Sequence, residues 1–190
     1  MGAKNEDILQ WFVLKTIFSS ELKVKALLDK RNIENFIPMH YKIRVIKGKK
    51  QKIFSPVIRD LVFVHATKRE VEDFKARALI SFGYKTYFLT RKDGHKRRIE
   101  VVQDKDMNEF MKVVSFLEED ITFYRPEEIK LYKGVRVRVI GGLFDGIEGT
   151  LLKIKGKRCK SIVLQIPGVA VATPHIQPDL IEIIKNTEEI

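Results

Sequence analysis

Six cations stand within eleven residues, with no acid among them: Lys42, Arg44, Lys47, Lys49, Lys50 and Lys52. Fixed positive charge at this density neutralises phosphates and releases the counterions condensed on a nucleic acid, an attraction that weakens steeply with salt. The alternative reading is a solvated face. Tyr41 and Phe54 are the aromatics nearby, too few in sequence to suggest a base-stacking platform. The charge balance of the whole chain points the same way: 190 residues carry a net +11. Residues 1–117 hold 25 Lys and Arg against 14 Asp and Glu, whereas residues 118–190 hold 11 of each. An anionic partner is expected for the first part.

Other residues capable of chemistry do not assemble into a site. Glu34, Asp60 and the run Glu118-Glu119-Asp120 lack a paired base or nucleophile in a recognisable pattern, so catalysis is not expected. His40, His65, His95 and His175 show neither HxH nor HExxH spacing. Cys159 is the single cysteine, which excludes an internal disulfide and a cysteine-built metal centre. No metal and no cofactor is expected. Apolar runs are far shorter than the roughly 20 residues of a membrane helix, and "MGAKNEDILQ" has no signal-peptide core. The expected location is the cytoplasm, without membrane partners.

The elements that must position the cations follow from periodicity. "WFVLKT" (11–16) reads as a strand, and Ser20 is placed to cap a helix containing Glu21, Leu22, Ala26 and Leu27. "YKIRVIK" alternates apolar and basic residues, and Gly48 offers a turn into "KKQKIF", which makes a basic hairpin. "LVFVH" (61–65) is a buried strand, followed by Thr67 and Glu70 at capping-box spacing and by Val71, Phe74 and Ala78 on one helical face. "KDGH" turns a second hairpin. A third helix opens near Asp104 with Met107, Phe110, Met111 and Val114 as its apolar stripe. This order predicts an α+β sandwich, helices against an antiparallel sheet, over residues 1–118. Residues 119–132, with Pro126, read as a linker. From 133 to 190 short β-prone runs recur ("VRVRVI", "IEGTLLKI", "SIVLQI", "VAVAT", "LIEII"), predicting a small all-β barrel.

Within "VIGGLFDGIEGTLLKI" (139–154), Gly141, Gly142 and Gly146 supply a tight corner, and Gly149 permits close approach of two backbones inside the returning strand. Phe144 stands at the tip, where it either tucks back or meets a partner. The pattern resembles the KOW motif through Val137-Arg138-Val139, Gly142-Leu143-Phe144 and Gly149. With "WFVLKT", "FIPM" and "LVFVH" ahead of it in order, residues 9–185 resemble the NusG family of transcription elongation factors.

That resemblance implies an NGN-type α+β domain that binds the clamp helices of RNA polymerase and touches non-template DNA or nascent RNA, followed by a KOW barrel. The barrel would recruit a second protein, Rho or a small-subunit ribosomal protein. By resemblance, Pro38, Ile58, Leu61 and Phe63 form the polymerase-facing surface. Lys23 and Lys25 lie in the helix through which specialised members approach the non-template strand, and Leu143, Phe144 and Ile147, with Gly142 and Gly149, form the partner-binding KOW turn. The family's Phe-Pro-Gly-Tyr segment is here Ile58-Arg59-Asp60-Leu61, a divergence that points to a specialised antitermination paralogue. Because KOW segments also occur in ribosomal proteins, an RNA-binding or ribosome-associated protein is the alternative.

Overall fold

The computed structural model describes residues 7–116, 121–125, 128–129, 134–154, 156 and 158–184. It divides into two compact units, Met1–Met107 and Asn108–Ile190. The first contains β1 (Gln10–Thr16), α1 (Glu21–Asp29), β2 (Glu34–Phe36), β3 (Met39–Ile46), β4 (Lys49–Pro56), β5 (Leu61–Ala66) and α2 (Lys68–Phe82). It continues through β6 (Thr86–Phe88), β7 (Thr90–Asp93), β8 (Lys96–Ile99) and β9 (Val101–Val102) into the start of α3 (Asp104–Ser115). The division falls inside α3, upstream of the boundary expected at residue 118.

The central sheet of the first unit runs β2-β5-β1-β6, with β9 also paired to β1, and its pairings are antiparallel. Alternation along β1 and β5 sends Phe12, Leu14, Val62 and Val64 to one face, where they meet Val24 and Leu28 of α1 and Phe74 of α2 in one buried cluster. Helix α2 begins as its sequence predicts. Thr67 Oγ1 accepts from the Glu70 amide at 3.2 Å, and the Glu70 carboxylate accepts from the Thr67 amide at 2.8 Å, closing the reciprocal cap.

The structure selects the buried face of each of two helices. In α1, Leu22 and Ala26 are exposed while Val24 and Leu28 are buried, because the sheet takes the stripe one turn apart on the other side. Ser20 does not cap through its side chain; its hydroxyl donates to the Ile17 carbonyl at 2.7 Å. In α3 the buried residues are Met107, Phe110, Val113 and Val114, with Met111 only half-buried.

The second unit holds β10 (Thr122–Tyr124), β11 (Val135–Val139), β12 (Glu148–Lys153), β13 (Lys160–Ile166), β14 (Val169–Ala172) and β15 (Ile181–Ile183). They form one antiparallel sheet in the order β10-β14-β13-β12-β11-β15. Val163, Ala170 and Ala172 pack with Ile129 and Ile154 beneath it. The segment read as a linker therefore contributes a strand: Phe123 lies opposite Val171. Glu118-Glu119-Asp120 and Pro126 lie outside the described residues. Gly149 is required by packing, since a Cβ there would sit 2.6 Å from Ile162 Cγ2 and 2.9 Å from the Val163 carbonyl oxygen.

Candidate nucleic-acid and docking surfaces

Strands β3 and β4 form a two-stranded ribbon of their own, eight residues to a side. Its turn places Lys47 at φ 49° and Gly48 at φ 76°, the two positive values of a type I′ turn, whose twist suits a right-handed ribbon. Residues 41–52 are exposed throughout. Register decides what the ribbon presents. Tyr41 lies opposite Phe54, Ile43 opposite Lys52 and Val45 opposite Lys50, so these six side chains share one face. Lys42, Arg44 and Ile46 share the other with Ile53, Gln51 and Lys49.

The first face carries a feature that its composition did not suggest. The Tyr41 and Phe54 rings are 5.0 Å apart at 50°, both rings are partly open to solvent, and Lys52 Nζ sits 4.4 Å over Tyr41. An aromatic pair flanked by Lys50 and Lys52 joins π-faces to phosphate-neutralising charge. A two-residue turn pairs residues equidistant from Lys47–Gly48, and that symmetry is the sequence signal that brings Tyr41 to Phe54.

The predicted cations are not equivalent. Lys42 donates to the Pro56 and Val57 carbonyls at 3.1 and 3.0 Å, anchoring the ribbon at its base. Partial burial, reinforced by the charges of Arg44 and Arg59, pushes its pKa down. Arg44, Lys47, Lys49 and Lys50 remain exposed on the ribbon. On α1, Lys25 is engaged with Asp29 Oδ1 at 3.1 Å and Asn35 Oδ1 at 3.0 Å. The Asn35 amide, helped by Lys25, holds the Asp29 carboxyl below its ordinary value against an opposing burial penalty. Such an i,i+4 pair contributes about 0.3–0.5 kcal/mol. Lys23 lies 5.7 Å over the Tyr84 ring, and two helical residues of separation keep it off the Lys25 face.

The second face of the central sheet carries the expected docking residues. Val13 pairs with Phe63 and Phe63 with Phe36, while Leu61 pairs with Lys15 and Trp11 with His65. Trp11 stacks on His65 at 4.9 Å, and His65 Nδ1 is 2.6 Å from Glu34 Oε2. Leu61 is 2% exposed and Phe63 is fully buried; Pro38 is also buried, and Ile58 is intermediate. Leu61 and Phe63 lie in β5, and Pro38 and Ile58 in the connections beside it, and with three of them buried they form no exposed patch. Asp60 lies at a turn, with φ 61°, and accepts from the loop at the end of β1.

In the second unit, Val139 and Ile147 close the corner around Gly141, Gly142 and Gly146 through Val139 N to Ile147 O and Gly146 N to Val139 O, both 2.9 Å. Phe144 tucks back: it is 7% exposed and meets the Phe116 ring edge-on at 5.1 Å. Ile147 is buried as well, so of the expected turn residues Leu143, half-exposed, faces solvent, with Ile140 similarly exposed beside it. Arg138 is committed to Glu148 on the neighbouring strand, its Nη2 donating at 2.6 Å.

Among the described residues no cluster of three or more His, Cys, Asp or Glu is placed to hold a metal ion, and no helix is long and apolar enough to cross a membrane. No curated protein matches the chain. Residues 9–133 match the family model described as transcription termination factor NusG, a match that takes in β1 through the sheet, all three helices and the basic ribbon. That match covers well over half of the 190 residues, and the chain belongs to the NusG family, non-enzymatic transcription elongation and termination factors that bind RNA polymerase.

Proposed function

We propose that this protein is a specialised antitermination factor that binds the clamp helices of RNA polymerase and changes elongation, pausing or termination in the cytoplasm. The observation that carries this reading is the family match over residues 9–133. Residues 1–118 act as the docking part, through the sheet face bearing Trp11, Val13, Leu61 and Phe63, with Ile58 and Pro38 beside it. Because Leu61 and Phe63 are buried, docking requires their exposure first. The β3–β4 ribbon then lies against non-template DNA or nascent RNA through Arg44, Lys47, Lys49 and Lys50. The sheet of residues 133–190 acts as a KOW barrel, presenting Leu143 from the glycine turn to a second protein, Rho or a small-subunit ribosomal protein. Two weak sites on one chain raise the effective concentration of the second partner once the first is bound. In Ile58-Arg59-Asp60-Leu61, aliphatic residues stand where the family has aromatic ones and two opposite charges stand between them, which supports a paralogue with its own docking chemistry.

The test is binding of the intact chain to core RNA polymerase, with Ile58→Glu and Arg59→Glu as variants outside the buried core. Binding by the native chain and a loss of tenfold or more in Ile58→Glu, with an unchanged melting temperature, is the expected result. A native chain that ignores polymerase yet binds structured RNA would replace this reading with the ribosome-associated one.

A further inference from the structure

The ribbon formed by β7 and β8 distributes its charges unequally between its two faces. Arg91, Asp93, Lys96 and Arg98 alternate onto one face, and there Arg98 pairs with Asp93 while Arg91 Nε lies 3.7 Å from Glu100 Oε1. On the other face Lys92 stands directly opposite Arg97, with Thr90 opposite Ile99, and among the described residues neither cation has an acidic partner. Like charges directly opposite one another oppose strand pairing. Here that repulsion is left uncompensated on one face and compensated on the other.

The uncompensated face lines a concavity of about 620 Å³. Lys15 of β1 and Lys75 of α2 also line it, so four cations and no acid surround the space. The rest of its lining, Tyr87, Phe88, Leu89, Thr90 and Ile99, is apolar or aromatic apart from Thr90. Lys75 Nζ lies 4.0 Å over the Phe88 ring, and burial pushes its pKa down, with Glu72 opposing. A partly desolvated ammonium gains more from an arriving anion than a fully hydrated one. Tyr87 remains nearly half-exposed at the rim.

We propose that this groove is a nucleic-acid site distinct from the β3–β4 ribbon, in which Lys15, Lys75, Lys92 and Arg97 hold the phosphodiester backbone of a single strand. Four cations around one space exceed what a single phosphate satisfies, and a linear polyanion brings successive charges to them. Tyr87 carries Lys85 Nζ 5.3 Å over its ring, a cation–π pair that a base can join by stacking beside a further positive charge. The inference does not depend on polymerase binding, since it requires only the protein and a strand.

The experiment measures fluorescence anisotropy of the intact chain with labelled 12-nucleotide RNA and DNA single strands of one mixed sequence, at 50, 100 and 200 mM KCl. Polyglutamate of similar charge serves as a non-nucleic competitor. Lys92→Gln/Arg97→Gln is compared with Arg91→Gln/Arg98→Gln, which removes the same charge from the other face of the same ribbon. The groove pair is expected to weaken binding at least tenfold at 50 mM. It should also lower the slope of log affinity against log salt by about 1.4, as loss of two phosphate contacts on a single strand predicts. The control pair should change affinity less than threefold. Tighter binding of RNA assigns a contact to the 2′-hydroxyl, and equal binding assigns the backbone alone; both agree with the proposal. Equal losses in the two pairs, no loss in either, or stronger competition by polyglutamate than by unlabelled strand would overturn it.

Discussion

The Asp60 carboxylate accepts the Ser19 amide at 2.7 Å, and the Asp60 carbonyl accepts the Thr16 amide at 3.0 Å. Two segments some forty residues apart are thereby joined where both turn sharply. Phe18, Ser19 and Asp60 all adopt positive φ, at 56°, 51° and 61°. Phe18 is held outward, 93% exposed. Non-glycine residues pay for such backbone, and a hydrogen bond to a charged acceptor offsets the cost.

Asp60→Ala is expected to destabilise the protein by about 1–3 kcal/mol, the loss of a charge-assisted bond at a strained position. Asp60→Asn, which keeps an acceptor and tolerates the left-handed region, should lose clearly less. Urea denaturation of both variants checks the ranking, and an equal loss would deny the carboxylate its role as the loop's clamp.

The capping box makes the stability of α2 depend on pH. Hydrogen bonds from the Thr67 amide and hydroxyl hold the Glu70 carboxyl below its ordinary value of 4.5. A carboxyl depressed in the folded state stabilises above its unfolded pKa, and that contribution fades as pH falls through the folded value. The gap in melting temperature between native protein and Glu70→Gln should therefore be widest near neutrality and narrow below about pH 4.5. Thr67→Ala should cost about 1 kcal/mol at pH 7. A gap that stays constant from pH 7 to pH 3 would exclude the linkage.

Gly149→Ala is expected to disrupt the second unit. Its Cβ would press on backbone at Val163 as well as on Ile162, and backbone cannot swing aside. Overpacking of this kind costs about 1–3 kcal/mol or more. Gly156→Ala has open space around its Cβ and φ 85°, so it reports the strain of positive φ without a clash. Thermal unfolding should show the larger loss at Gly149.

Phe116 and Phe144 should prove coupled. An edge-on ring pair contributes about 0.5–1.5 kcal/mol beyond the area it buries, so a double-mutant cycle with both alanine variants should return an interaction energy in that range. Leu143→Ser, at a half-exposed position, should leave stability within about 0.5 kcal/mol while weakening capture of whatever protein the turn binds. Equal capture by native and Leu143→Ser would move partner binding away from this turn.

Much of the fold was legible because local signals agreed with it. The Thr67 and Glu70 spacing marked the start of α2, alternation marked β3 and Gly48 the turn into β4, and the need for glycine at 149 followed from its place inside a strand. The linker reading failed at Thr122–Tyr124 because three residues carry too little periodicity to announce a strand, and only pairing with β14 makes them one. In α1 the apolar residues Leu22, Val24, Ala26, Leu27 and Leu28 spread around the helix, so the sheet chose the face.

The candidate surfaces divided along the same line. Composition and order by themselves established the excess positive charge of the first part, the basic β3–β4 hairpin, a second hairpin at Asp93-Gly94 and the family pattern, since charge and periodicity are properties of neighbours in the chain. Tertiary structure alone decided which of those charges are free. Lys42 and Lys25 are spent on nearby acceptors, Tyr41 meets Phe54 across a register, and Phe144 turns inward to Phe116. It also gathered Lys15, Lys75, Lys92 and Arg97, from four separate elements, around one groove. Separation along the chain sets no distance in space, and the electrostatic work of a side chain depends on that distance and on the solvent left around it.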